Sequence, residues 1–211
     1  MASPSSSISG PISAAPHQTS KLLKVLAEFV IRRRILLSGI LFGLLIADDV
    51  AFGPKPHDLV NYRDPLSMLG GGLVLSGLAL RSWAVGILRK DAELTTTGPY
   101  RLIRNPLYVG SFMMMFGFCA LIADPTNIWF ILGPMLIMYI IKVRQEERLL
   151  STKFPEQWIP YSQSTPRFFP RFARVSLDAD WRASQWMRSR EYQALGATIL
   201  ALIAIKVWHL V

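Results

Sequence analysis

The chain has 211 residues, 51% of them hydrophobic and 18% charged, with a mean hydropathy of +0.32. A soluble domain of this length has no use for so much apolar surface, whereas a bundle that fills a bilayer does. The net charge of +9 would suit nucleic acid, but the basic residues gather at the edges of apolar stretches, so the bilayer is the expected partner and nucleic acid is not.

Taken in order, residues 1–20 are rich in Ser, Pro and Ala and lack a basic segment ahead of an apolar core, which reads as a disordered tail and not a cleaved signal. Residues 21–34 set Leu22, Leu23, Leu26, Phe29 and Val30 at helical spacing beside Lys24 and Arg32 to Arg34, the pattern of an amphipathic helix at a membrane interface. Residues 35–211 then read as a membrane domain with five spans, at about 35–52, 66–88, 106–123, 126–141 and 194–210. Each is close to the ~20 residues that a ~30 Å hydrocarbon core requires. The expected fold is therefore all-α, a polytopic membrane helical bundle.

Asp48 and Asp49 mark the interface at the far end of the first span, and Arg81, inside the second, is placed to snorkel toward the nearer interface. Only Asp124 and Pro125 separate the third and fourth spans, which predicts a tight helical hairpin. Lys and Arg number five before the first span, four from Arg89 to Arg104 and ten from Lys142 to Arg190, against Lys55 and Arg63 alone on the other side. This asymmetry places the N-terminus and the two long polar segments in the cytosol. Cys119 stands alone in an apolar run, and His17, His57 and His209 are scattered, so neither a disulfide framework nor a metal site is expected.

Two polar runs can carry chemistry. The first, from Leu94 to Gly110, begins with three threonines and a Gly-Pro turn and enters the third span at Pro106. Unpaired N–H groups at a helix start suit a carboxylate, Arg101 and Arg104 add charge-assisted bonds, and Tyr100 and Tyr108 can stack on a heterocycle. The bland reading is a basic inter-helix loop obeying topology rules. The second run, Lys142 to Leu150, leaves the fourth span and puts Lys142 and Glu146 on one helix face. Its bland reading is a solvated helix end. No Gly-rich dinucleotide fingerprint, phosphate loop, nucleophile elbow or zinc-protease motif occurs.

Together the two runs resemble the isoprenylcysteine carboxyl methyltransferase family and its phospholipid methyltransferase relatives. The resemblance rests on Leu94-Thr95-Thr96-Thr97-Gly98-Pro99-Tyr100, then Arg104-Asn105-Pro106-Leu107-Tyr108-Val109-Gly110, then Glu146-Glu147, Phe154, Tyr161 and Pro166-Arg167-Phe168-Phe169-Pro170. It covers about residues 75–170, with a cofactor core at about 89–170. It implies a cytosolic pocket for S-adenosyl-L-methionine lined by Leu94, Thr95, Tyr100, Asn105, Pro106, Leu107, Tyr108 and Glu146. Lys142 falls where the family places an arginine near the substrate, with Arg144 as a nearby substitute and Arg104 as a further catalytic candidate. Asn105 stands where carboxyl methyltransferases usually carry His, and Asn-Pro-x-Tyr is closer to phospholipid N-methyltransferases.

The expected activity is methyl transfer to a lipid-like or hydrophobic acceptor, either a phospholipid amine or a prenylcysteine-type carboxylate. The alternatives are an NADPH-dependent membrane reductase of the sterol type, which shares a Pro-x-Tyr-x-Gly signature, and a non-catalytic membrane scaffold.

Overall fold

The computed structural model describes residues 44–59, 61, 63–89, 93–170 and 178–211. The expected tail at 1–20, the amphipathic helix at 21–34 and the first part of the first span lie outside the described residues. Every regular element among the described residues is helical.

Helix α1 occupies residues 44–52. Helix α2, Pro65–Ile87, starts where Asp64 accepts from Leu66 N at 3.0 Å and Pro65 fills a first-turn position that needs no N–H. A short helix α3, Pro99–Leu102, precedes α4, Pro106–Ile122, which also opens on proline. Ala123, in the left-handed conformation at φ 67°, ends α4, and Asp124 Oδ1 accepts from Thr126 N at 2.7 Å to start α5, Thr126–Phe130. The hairpin is as tight as Asp124-Pro125 predicts.

A π turn, Ile131–Met135, joins α5 to α6, Leu136–Lys153. Pro134 lies in that turn, where its missing N–H disrupts the α ladder. The helix runs well past residue 141, where the apolar stretch ends, because Arg, Gln, Glu and Leu are good helix formers and continue it into water. Helices α7, Pro155–Ser164, and α8, Ala183–Arg188, follow before α9, Glu191–Leu210.

Three of these are long and apolar enough to cross a membrane: Pro65–Ile87, the continuous Thr126–Lys153, and Glu191–Leu210. Helix α4 is equally apolar but has 17 residues, about 26 Å at 1.5 Å per residue. Leu69 and Leu75 on α2 and Ile199, Leu200 and Ile203 on α9 are exposed, as surfaces that meet lipid chains would be.

Helices α2 and α4 approach so closely that glycine is required at their crossing. Gly70 faces Gly117 and Gly77 faces Gly110, which makes the pair antiparallel. A Cβ on Gly77 would stand 2.5 Å from Gly110 O, and one on Gly110 would stand 2.7 Å from Gly77 O. With no hydrophobic drive between helices in lipid, such contact supplies the packing energy directly. Val74, Leu121, Ile122 and Ile205 form the buried core beside it, tying α9 to the pair.

At the end of the bundle away from the two polar runs, polar groups are paired. Lys206 Nζ donates to Asp58 at 2.5 Å, Ser67 Oγ donates to Asp58 O at 2.6 Å, and His57 N donates to Leu121 O at 2.8 Å. Asp48 is exposed, whereas Asp49 is buried and accepts from Asn127 Nδ2 at 2.8 Å.

Gly77→Leu should destabilise the bundle by about 2 kcal/mol or more, because overpacking at a backbone contact cannot relax through a rotamer. Gly72→Leu, with nothing within 4 Å of its Cβ, should leave the thermal midpoint in detergent unchanged or raised. Equal midpoints for the two variants would refute the glycine contact.

Candidate functional site

The polar run before α4 is held by backbone geometry first. Gly98 sits at φ 56° and ψ −132°, where a Cβ would meet Ile87 Cδ1 at 2.7 Å. Glycine here lets the chain turn against the end of α2 and enter α3. Arg89 N donates to Thr95 Oγ1 at 3.2 Å, pinning the threonine segment to the residues that leave α2. Leu94 and Pro99 are buried beneath it.

Beyond α3, Arg104 N donates to Pro166 O at 2.8 Å, so the segment after α7 lies along the entry to α4. Asn105 caps α4 with its carbonyl, accepting from Tyr108 N and Val109 N at 3.2 and 3.1 Å, and Pro106 occupies the first turn.

The second polar run reaches this turn through Glu147. Its buried carboxylate accepts from Asn105 Nδ2 at 3.2 Å and from Arg167 Nε at 3.0 and 3.1 Å, with Arg167 Nη2 at 2.5 Å. Arg104 Nη1 stands 3.4 Å away, and its guanidinium lies 5.7 Å from the Trp158 ring centroid. The hydrogen bond to Glu147 holds the Arg167 guanidinium above its ordinary range. One acid thus unites the start of α4, the polar second half of α6 and the Pro-Arg-Phe-Phe-Pro segment.

The neighbouring Glu146 points elsewhere. It is partly exposed and is met by Lys142 Nζ at 3.5 Å, the expected i,i+4 pair. Tyr108 packs edge-on against Tyr139, two turns before Glu146 on α6, with ring centroids 5.2 Å apart and planes at 85°. Phe112 meets the same ring at 5.0 Å. Tyr108 and Glu146 therefore lie at one end of one helix pair.

Among the described residues, two buried side-chain polar atoms have no hydrogen-bond partner: the Tyr100 hydroxyl and Arg104 Nε. Tyr100 C=O accepts from the Tyr161 hydroxyl at 2.8 Å, so its ring is fixed from the backbone side while its own O–H stays unmatched. Burial pushes the Tyr100 phenol well above its ordinary range, Tyr161 and Glu146 push it further, and Arg81 pulls it back. The hydroxyl is thus within electrostatic reach of both a carboxylate and a guanidinium without bonding either.

Arg81 does not snorkel. Its Nε and Nη2 donate to the two Glu191 oxygens at 2.9 and 3.0 Å, and its Nη1 donates to Ser111 Oγ at 2.6 Å. Ser111 in turn donates to Leu107 O at 2.9 Å. A bidentate, desolvated pair is a better solution than an extended side chain where helices α2, α4 and α9 meet.

Of the expected site residues, Leu94, Thr95, Tyr100, Arg104, Asn105, Pro106, Leu107 and Tyr108 line one continuous turn, and Lys142 and Glu146 lie at the same end of the bundle. Arg144 is exposed and makes no hydrogen bond or ion pair among the described residues. Glu147, Arg167, Tyr161 and Arg81 carry more of the geometry than their local patterns reveal. A Glu-Glu pair does not say which acid turns inward; Val143, one turn earlier and fully buried, was the available signal for Glu147.

The sequence model of the phospholipid methyltransferase family matches residues 67–157, from early α2 to α7. The chain is also 30% identical over 175 residues to the cobalt-zinc-cadmium resistance protein CzcN of Cupriavidus metallidurans, covering 80% of this chain and 78% of that one. The chain belongs to the phospholipid methyltransferase family. A second relative, the nickel-cobalt-cadmium resistance protein NccN of Alcaligenes xylosoxydans xylosoxydans, is 41% identical over 85 residues, 40% of this chain and 39% of that one. No solved structure matches. The family match spans both polar runs in full, Glu147 included, while Tyr161, Arg167 and Glu191 lie beyond it.

Glu147→Ala should cost roughly 2–4 kcal/mol, because it strands the Arg104 charge in a mostly buried setting while Arg167 can relax toward water. Glu146→Ala, with only an exposed pair to lose, should change the thermal midpoint little. Comparable losses in the two variants would show that Glu147 is not the structural acid.

Proposed function

We propose that this protein transfers a methyl group from S-adenosyl-L-methionine to a lipid-like or hydrophobic acceptor at the cytosolic face of its membrane. The observation that carries the reading is the meeting of the two polar runs around an unpartnered, buried Tyr100 hydroxyl. Native interiors rarely leave such a group unmatched, so a ligand atom is the natural partner. Family membership supports the same reading; the names of the two relatives speak of metal resistance and not of methyl transfer.

The residues present fit this cofactor. Glu146, which among the described residues meets only Lys142, offers a carboxylate to an ammonium group, and Tyr100 offers one donor and one acceptor. Tyr108, fixed edge-on by Tyr139, offers a flat apolar surface to a nucleobase. Leu94, Thr95, Asn105, Pro106 and Leu107 shape the turn around them. Lys142, Arg104 and Arg144 are the cations available to orient an acceptor carboxylate or headgroup phosphate.

When bound, the cofactor supplies a methyl group already activated on a sulfonium sulfur. The chain's residues therefore need only align the acceptor atom and exclude water. A carboxylate acceptor needs no base. An amine must be neutral to attack, so that acceptor class alone calls for a base.

The test is transfer of labelled methyl, by the purified full-length protein, into total lipid extract and into a prenylated cysteine analogue side by side. Label should enter one pool, and Tyr108→Ala and Glu146→Ala should abolish it together with the thermal shift caused by adenosylmethionine. Tyr100→Phe should stabilise the ligand-free protein by about 1 kcal/mol, since it removes an unsatisfied buried hydroxyl, while weakening the ligand-induced shift. Label in neither pool, with a thermal shift from NADPH but none from adenosylmethionine, would replace this reading with a reductase.

A further inference from the structure

A second polar site lies beside the last turn of α2. A cleft of about 180 Å³ is lined by Arg89, Asp180, Arg182, Ser184, Gln185 and Arg188, with Gly86 and Ile87 as its floor. It is built by a specific docking. The Trp181 ring lies against Gly86, so that a Cβ there would stand 1.9 Å from its Nε1. That Nε1 donates to Ser82 O at 3.1 Å, and Arg182 N donates to Gly86 O at 2.9 Å. Leu88 N takes Ala84 O at 3.1 Å. These bonds satisfy carbonyls at the end of α2, so the arginines are not needed as its caps.

The charges in the cleft do not cancel. Asp180 accepts from Arg182 Nε at 2.8 Å and from Arg89 Nη2 at 3.4 Å, and Arg89 also meets Glu93 at 2.9 Å. Among the described residues that line the cleft, three guanidinium groups face one carboxylate, that of Asp180. Arg188 is exposed and has no hydrogen bond or ion pair among the described residues, and the side chains of Ser184 and Gln185 have none either. Guanidinium, hydroxyl and amide donors around one opening are the set that holds a phosphate.

The setting selects the form in which phosphate arrives. The cleft adjoins the polar end of a membrane-length helix, Trp181 is exposed at its edge, and Trp186 Nε1 donates to Ser82 Oγ at 3.3 Å. Amphipathic rings in this position belong at headgroup level. We propose that this cleft binds the phosphate of an anionic phospholipid headgroup, with Arg188 as the uncommitted cation and Ser184 and Gln185 as neutral donors. The assignment does not rest on the methyl-transfer reading, and either can fail without the other.

The experiment uses the full-length protein in detergent micelles, with phosphatidylglycerol or phosphatidylcholine titrated in and bound lipid counted by native mass spectrometry. Arg188→Gln deletes a charge that holds no internal bond, so the fold is kept, and Arg148→Gln on α6 controls for general loss of surface charge. Wild type and Arg148→Gln should retain phosphatidylglycerol over phosphatidylcholine, and Arg188→Gln should lower that retention about fivefold, the scale of one arginine at an anionic surface. Equal retention in all three proteins would overturn the proposal. So would full displacement of the lipid by millimolar inorganic phosphate, which would make the cleft a site for the free ion.

Discussion

A carboxylate taken out of water survives as a charge only when its partners are already in place, and Glu147 has three of them from two separate parts of the chain. Asn105 comes from the turn that starts α4, Arg104 from the residue before it, and Arg167 from the strap after α7. Buried Ile103 and Pro106 anchor the turn from the apolar side, and a single acid that cannot be left unpaired ties it to α6 and to the strap. The turn that carries Tyr100 and Tyr108 is in this sense assembled around Glu147, which leaves its neighbour Glu146 at the surface with a carboxylate only loosely engaged.

The same logic operates one layer deeper. Arg81 would be costly in an apolar helix, and Glu191 equally so at the start of another, but joined in a bidentate pair they fix the meeting point of α2 and α9. Ser111 adds α4 through a third bond. Glycine contacts between α2 and α4 set how close the helices come, while this ion pair sets where along their length α9 begins. Close packing and charge pairing thus divide the task that a hydrophobic core performs in water.

How much of this the sequence reveals depends on range. The boundaries of α2, α4 and α9 follow to within about a turn from their apolar runs, a signal that acts locally along the helix. The tight hairpin follows from Asp124-Pro125, and the pairing of Lys142 with Glu146 from i,i+4 spacing. The helical continuation from Lys142 to Leu150 follows from the same spacing, and only its last turn to Lys153 goes unread, because hydropathy reports where lipid ends and not where helix ends. The Arg81–Glu191 pair joins residues 110 apart, and the Asn105–Glu147 bond residues 42 apart, so no local pattern contains either. The motif-bearing turn is legible as a candidate site; which of two adjacent acids holds it together is not.

The buried hydroxyl of Tyr100 brings these strands together. A folded chain gains nothing from a buried O–H that meets no protein partner, and phenylalanine would fill the same space without the cost of an unmatched donor. The surrounding structure nevertheless over-determines the ring, since Tyr161 grips its carbonyl, Gly98 shapes its approach, and burial keeps its proton on. Under the methyl-transfer reading proposed above, a position held so firmly, yet left electrostatically incomplete between Glu146 and Arg81, is organised ahead of the cofactor that would complete it. Pre-organisation of this kind moves the cost of ordering from the binding step to folding, where the Glu147 and Arg81 networks already offset it.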